Sequence, residues 1–125
     1  MFTIKEVADK TGITAHTLRY YEREGIMPSV KRDAGGNRFY DEESIEGLNF
    51  ILALRSTGMP LSKIKQYVSL YLEGESTMAA RKQILQDHRA KVEEDLRQTI
   101  KHLEQINYKL GLYYLQENGH MKMLL

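Results

Sequence analysis

The sequence predicts a mainly α-helical protein, with a winged helix-turn-helix head carrying a small β-hairpin wing, followed by a long coiled-coil dimerisation helix. Three observations carry that expectation. Two short segments with helix caps, separated by a Gly-containing turn, occupy residues 3–24. A basic, glycine-rich stretch with β-prone arms follows at 30–40. From residue 76 to Gly111 the chain then runs without Pro or Gly, too long for an ordinary globular helix standing alone.

At 125 residues the chain has room for one compact unit and an appendage. The expected division is a head at 1–73, a dimerisation helix at 76–117 and a short tail at 118–125. Hydrophobic residues make up 42% and charged residues 28%, the balance of a globular chain. The formal net charge is only +1, so a nucleic-acid partner must be argued from local clustering of charge. The N-terminus opens directly on charged amphipathic sequence and no run is long enough to span a bilayer, which places the protein in the cytoplasm as an expectation, with no membrane partner. The sequence contains no cysteine. Disulfides, thiolate metal sites and thiol redox switches are thereby excluded.

The first helix has Thr3 as N-cap and Glu6 three residues on, the capping-box spacing, and stops near Gly12. Its apolar positions Ile4, Val7 and Ala8 share a face. Thr14 caps the second helix, with Ile13 placed to staple onto Leu18. A rotation of about 100° per residue sets His16, Arg19, Tyr20 and Arg23 on one stripe and turns Leu18 and Tyr21 the other way. Guanidinium forks, a phenol and the short hydroxyls of Thr14 and Thr17 near the helix start suit phosphates and base edges in a groove. The same stripe also reads as an ordinary solvated face.

The next segment favours the groove-reading surface. Gly25 ends the helix, Pro28 follows, and two arms flank a Gly35-Gly36-Asn37 turn carrying Lys31, Arg32 and Arg38 with Asn37 and Tyr40 beside them. Such a hairpin suits a wing laid along a phosphate backbone. Asp41 caps a third helix to about Thr57, with Ile45, Leu48, Ile51 and Leu52 as its buried stripe and Glu42 and Glu43 complementing the helix dipole in its first turn. After Gly58-Met59-Pro60, a fourth helix capped by Ser62 sets Leu61, Ile64, Val68 and Tyr71 at helical spacing. Its Lys63 and Lys65 offer a second phosphate contact, or a solvated face.

In the tail, Thr77 is the expected cap of the long helix. Leu85, Val92, Thr99, Ile106 and Tyr113 recur every seven residues and interleave with Arg89, Leu96, Leu103 and Leu110. That alternation of fours and threes is a coiled-coil seam. Arg89 and Thr99 are poor seam residues, Ile100 and Tyr114 add apolar surface alongside, and a helix folded back onto its own head stays open as the other reading. The dimerisation residues are Leu85, Val92, Leu96, Leu103, Ile106, Leu110 and Tyr113.

Several motifs stand in one order: Thr3-Ile4, Leu18-Arg19-Tyr20-Tyr21-Glu22 with Gly25-Ile26, Asn37-Arg38-Phe39-Tyr40, and Gly58-Met59-Pro60-Leu61 with Ile64. Together they closely resemble the mercury-resistance-regulator (MerR) family of bacterial transcription regulators, over about residues 2 to 72. The resemblance implies an antiparallel dimer coil and a two-fold homodimer on a pseudo-palindromic operator of double-stranded promoter DNA. It also implies binding between the −35 and −10 elements, distortion of their overlong spacer, and a change in that distortion on inducer binding that lets RNA polymerase engage. By carry-over, Arg19, Tyr20, Tyr21, Arg23, Arg38 and Tyr40 touch DNA, although the helical count turns Tyr21 inward.

The sensing parts depart from the family pattern. Metal sensors resemble one another in having cysteines near and after the long helix, and drug-sensing relatives carry a large ligand domain beyond it. Here only residues 118–125 follow the coil, so an inducer of unknown chemistry is expected to act through the coil, the tail or the groove between head and partner helix. His88 and His102 flank the seam and Met121 and Met123 end the chain, but lone histidines on a coil flank are surface residues more often than ligands. Neither a metal nor a cofactor is expected. An architectural or excisionase-like DNA-binding adaptor without inducer response is the alternative function. An enzyme is not expected, for want of a nucleophile-base pair or Gly-rich phosphate loop.

Overall fold

The computed structural model describes residues 1–27 and 30–119. Pro28, the final residues 120–125 of the expected tail, and with them Met121 and Met123, lie outside the described residues. The chain divides into two compact units, Met1–Gln86 and Asp87–Leu125.

The first unit begins with a strand that the sequence reading did not foresee, β1 (Phe2–Thr3), and passes directly into α1 (Ile4–Thr11). Thr3 ends the strand and caps the helix. Its Oγ1 accepts from the Glu6 N–H at 3.2 Å while Glu6 Oε1 accepts from the Thr3 N–H at 3.3 Å, so two backbone donors are satisfied reciprocally. Gly12 closes α1 at φ 75°, a left-handed conformation that costs glycine little and a Cβ-bearing residue more. Thr14 then caps α2 (Ala15–Arg23), its Oγ1 accepting from the Thr17 N–H at 3.1 Å.

Strands β2 (Lys31–Arg32) and β3 (Arg38–Tyr40) form the wing. The sheet order is β1-β3-β2, antiparallel throughout, with Phe2 opposite Tyr40 and Arg32 opposite Arg38. The wing is thus tied to the N-terminus as well as folded on itself. Asp41 caps α3 (Glu42–Ser56), with Glu42 and Glu43 in its first turn, and α4 (Leu61–Glu73) follows the Gly58 turn. Ser62 lies inside α4, whose N-cap is Pro60 with no side-chain hydrogen bond; proline's fixed φ suits the entry, and the expected serine cap is corrected accordingly.

Val7, Leu18, Tyr40, Leu48 and Ile64 are fully buried, with Tyr21, Ile26, Met27, Ile51, Leu54, Met59 and Val68 around them. One contiguous core therefore joins α1 to α4 and the sheet. Leu54 extends the α3 face beyond the expected stripe, while Ile45 and Leu52 are only half-buried at its edges. Tyr71 is 46% exposed and stacks under the Arg81 guanidinium at 5.6 Å rather than entering the core.

A short 3-10 turn, Glu75–Thr77, leads into α5 (Met78–Glu117). Thr77 is buried and its hydroxyl lies 2.6 Å from the Leu70 carbonyl and 2.7 Å from that of Gly74, while Arg81 Nε donates to it at 3.0 Å. The hydroxyl faces back to α4, a correction to its expected role as cap of α5. Ile84 and Leu85 pack half-buried against the head core. The head therefore takes the first turns of α5 with it, past the expected boundary near residue 73.

The second unit carries the rest of α5. No residue of that helix is buried, and Leu96, Ile100, Leu103, Ile106, Leu110, Tyr113 and Tyr114 are all between 45% and 60% exposed. Exposed pairs such as Lys91–Asp95 at 3.7 Å and Arg97–Glu94 at 2.9 Å run along it; they add solubility more than stability. Hydrogen bonds from Gln98 first, and then Arg97, hold the Glu94 carboxyl below the ordinary value.

Candidate nucleic-acid interface

Helix α2 presents its donors because its core side is fixed. Leu18 and Tyr21 are buried, which leaves His16, Arg19 and Arg23 exposed and Tyr20 half-exposed. Tyr20 is held at an angle of 50° to Tyr21, ring centroids 6.2 Å apart, and the Arg23 guanidinium lies over the Tyr20 ring, 5.6 Å from its centroid. The Thr14 and Thr17 hydroxyls are 3.0 Å apart, so both serve the helix start.

Asp33 builds the wing tip. Its Oδ1 accepts from the Gly35 and Asn37 N–H groups, each at 2.9 Å, and its carbonyl accepts from the Gly36 N–H at 3.0 Å. Gly36 takes φ 80°, the turn's one left-handed position. The turn therefore centres on Ala34-Gly35-Gly36, one residue before the expected Gly35-Gly36-Asn37. Asn37 is left exposed beside Arg38.

Arg19 of α2 and Asn37 and Arg38 of the wing line one cleft of about 540 Å³, whose remaining wall is the N-terminal stretch 1–4 with Asp33, Gly36 and Phe39. Three cationic or amide side chains from two elements thus converge on one concavity, with the Asp33 carboxylate at its edge. Glu22 ties the two elements together: its carboxylate pairs with Arg38 Nε and, at 3.4 Å, with Arg32 Nη2. Beside Arg32 on β2, Lys31 pairs with Asp41. Lys65, 3.9 Å from Glu24, lies near the end of α2, and Lys63 is exposed on α4.

The hydrogen bond to Asp41 raises the Lys31 ammonium above its ordinary value. The Lys31 and Ser44 hydrogen bonds hold the Asp41 carboxyl far below its ordinary 3.8. A carboxyl lowered on folding stabilises the folded state above its unfolded value, and that contribution is lost as pH falls toward the folded one. Replacing Asp41 with Asn should therefore shrink the drop in urea stability between neutral pH and about pH 3; an equal drop in both proteins would remove Asp41 from the acid response.

Tyr40 and Tyr21, both expected to touch DNA, are 0% and 5% exposed. Both rings pack in the head core with Leu18, Leu48 and Ile64, which leaves them almost no surface for a ligand. The Tyr40 hydroxyl makes no hydrogen bond among the described residues. Burial first, then the Glu22 carboxylate, pushes its phenol above the ordinary value, with Arg38 and Arg19 opposing. Leu85, expected in the seam, packs on its own head. Of the other seam positions, Val92 is half-buried and Leu96, Leu103, Ile106, Leu110 and Tyr113 are exposed; Arg89 pairs with Glu93 at 3.8 Å and the Thr99 hydroxyl donates to the Asp95 carbonyl at 3.0 Å. Glu22 and Asp33 organise this surface without being among the expected site residues. Asp33 stands before Ala-Gly-Gly, the setting of an Asx turn, whereas the partners of Glu22 lie 10 and 16 residues away.

Among the described residues there is no group of three or more His, Asp or Glu that could hold a metal ion, and no helix long and apolar enough to cross a membrane. A helix-turn-helix with its donor face outward, flanked by a basic hairpin wing, defines a winged helix-turn-helix DNA-binding protein. Comparison with known proteins agrees: the family model described as MerR HTH family regulatory protein matches residues 2–70, and that described as MerR, DNA binding matches 45–107. The chain belongs to the MerR family of helix-turn-helix transcriptional regulators, and its relatives are regulators rather than enzymes.

It is 46% identical over 89 residues to the HTH-type transcriptional regulator AdhR of Bacillus subtilis, an alignment covering 71% of this chain and 64% of that protein. An uncharacterized HTH-type transcriptional regulator of Haemophilus influenzae is 32% identical over 112 residues, or 90% of this chain and 83% of the relative. Among solved structures, a MerR family regulator from Listeria monocytogenes superposes with a TM-score of 0.85 at 30% identity, covering 90% of this chain and 86% of that one. HiNmlR, a MerR family regulator lacking the sensor domain and bound to promoter DNA, gives 0.83 at 31% identity, covering 94% and 93%.

Proposed function

We propose that the protein acts as a homodimer on promoter DNA, with one α2 in the major groove of each half-site and the wings along the flanking phosphates. The observation that carries this reading is the convergence of Arg19 from α2 with Asn37 and Arg38 from the wing on one cleft beside the N-terminal strand. His16, Arg23, Lys31 and Arg32 extend the same surface, Tyr20 supplies a half-exposed phenol, Thr14 and Thr17 stand at the helix start, and Lys63 and Lys65 form a second phosphate contact. The dimer is supported by the exposed apolar residues of α5 from Leu96 to Tyr113, which fall at coiled-coil spacing. HiNmlR, similar over nearly the whole chain, is a promoter-DNA binder.

On this reading the dimer sits between the −35 and −10 elements and bends and untwists their spacer. Wings and helices grip phosphates while the central base steps take the strain. A small-molecule inducer would change that distortion and let RNA polymerase engage. Transcription in vitro from a bound promoter is the test: transcript level should change on adding the protein, and binding without any change in transcript would leave only an architectural adaptor.

Arg19→Ala should weaken operator binding by about 1–3 kcal/mol. A loss confined to the preferred sequence means base reading, and a uniform loss across sequences means a phosphate contact. Unchanged affinity in a titration by anisotropy would take Arg19 out of the interface.

A further inference from the structure

We propose that Glu22 is a specificity-determining positioning residue, whose carboxylate holds the wing cations Arg32 and Arg38 in one register against the reading helix. The proposal rests on the reading of α2 and the wing as the DNA-facing surface. A carboxylate on such a surface repels phosphate, so its presence on this face calls for a physical reason.

The geometry supplies one. Glu22 Oε2 accepts from Arg38 Nε and Oε1 from Arg32 Nη2 at 3.4 Å. Arg32 Nη1 donates to the Gly36 carbonyl at 3.0 Å. Arg32 and Arg38 are cross-strand partners, so a single side chain from α2 grips both arms of the hairpin. The Glu22–Arg38 half of the clamp is partly sheltered, with side chains 23% and 31% exposed beside fully buried Tyr40, while Arg32 is half exposed. A partly desolvated pair of this kind resists screening better than one in open water.

The clamp leaves donors to spare. Arg38 uses Nε on Glu22 and keeps its two terminal NH2 groups, which is the fork that phosphate or guanine accepts. Glu22 also subtracts one unit of positive charge from the surface, and non-specific attraction scales with the cations available to phosphate. Both consequences favour the correct sequence over an arbitrary one: the attraction common to all DNA falls, while the guanidinium groups are already placed for the site where helix and wing must fit together.

The test uses the whole protein, a duplex selected by the wild type from a randomised pool, and a scrambled duplex of the same composition. Affinities for both are measured over a range of salt for wild type, Glu22→Gln and Glu22→Asp, with thermal unfolding alongside. Glu22→Gln should bind the scrambled duplex about three- to ten-fold more tightly, with a salt slope steeper by about 0.9 for the cation released. Its preference for the selected duplex should fall by about ten-fold or more, and Glu22→Asp should restore most of that preference. An unchanged preference and slope in Glu22→Gln would overturn the proposal. Equal weakening on both duplexes, or a variant that does not fold, would overturn it too, since the carboxylate would then serve only the fold. A wild type that selects no sequence would instead sink the DNA-reading assignment, and this proposal with it.

Discussion

Leu96→Glu combined with Leu103→Glu should convert the protein to a monomer whose affinity for operator DNA is lower by about 10²–10⁴-fold. Both leucines lie on α5, 59% and 54% exposed, seven residues apart in the apolar repeat. A helix with apolar side chains at seam spacing and no buried residue has apolar surface to cover, and in the proposed dimer a second copy covers it. Two carboxylates placed in that seam would have to be desolvated without partners, at a cost larger than the contacts they replace. The DNA effect follows from geometry: in a dimer the second half-site is bound at high effective concentration, and a monomer loses that term entirely. Analytical ultracentrifugation and anisotropy titration check the two halves of the prediction. A dimer surviving both substitutions contradicts the seam.

The second large effect is on the head. Leu18→Ala should destabilise it by about 2–5 kcal/mol, a sizeable share of the roughly 5–15 kcal/mol that holds a domain folded. Leu18 is fully buried and sits between half-buried Thr17 and exposed Arg19 on α2, so its packing fixes which way the donor face points. Truncation leaves a cavity where α2 meets the core, and the helix loses both burial and orientation. Urea unfolding reads the stability directly. A loss below about 1 kcal/mol would mean that the site collapses around the cavity and that Leu18 does not anchor the helix.

These two effects bracket what was legible in the residues. Thr3, Glu6, Gly12, Thr14 and Asp41 act within four residues of their partners, so their capping roles could be read from spacing alone. The donor stripe of α2 was legible for the same reason, because helical rotation is local arithmetic. Strand β1 was not: two residues carry no periodicity, and Phe2 becomes a strand only because Tyr40 is opposite it. The burial of Tyr40 was not legible either, because its core neighbours are far along the chain. A tyrosine two residues after Arg38 looks like a contact; it shares Arg38's face of β3, yet its ring is packed in the head core while the Arg38 side chain keeps 31% of its surface.

Glu22 shows the limit more sharply. By spacing it is one more charge that weakens a basic stripe; only the fold brings it to Arg32 and Arg38 and makes it a clamp. Leu85 is the counterpart on α5, a residue in perfect heptad register with Val92 that nevertheless packs on its own head. Periodicity reports which face of a helix is apolar, and not which surface covers it.

The central claim, that a dimer of this chain reads promoter DNA through paired α2 helices and distorts it, is tested most directly by footprinting the protein on a promoter fragment it selects from genomic DNA. The expected pattern is two protected half-sites related by two-fold symmetry between the −35 and −10 elements, with enhanced cleavage at the central steps where the duplex is strained. A single unpaired half-site, or protection with no preferred position, would contradict the account.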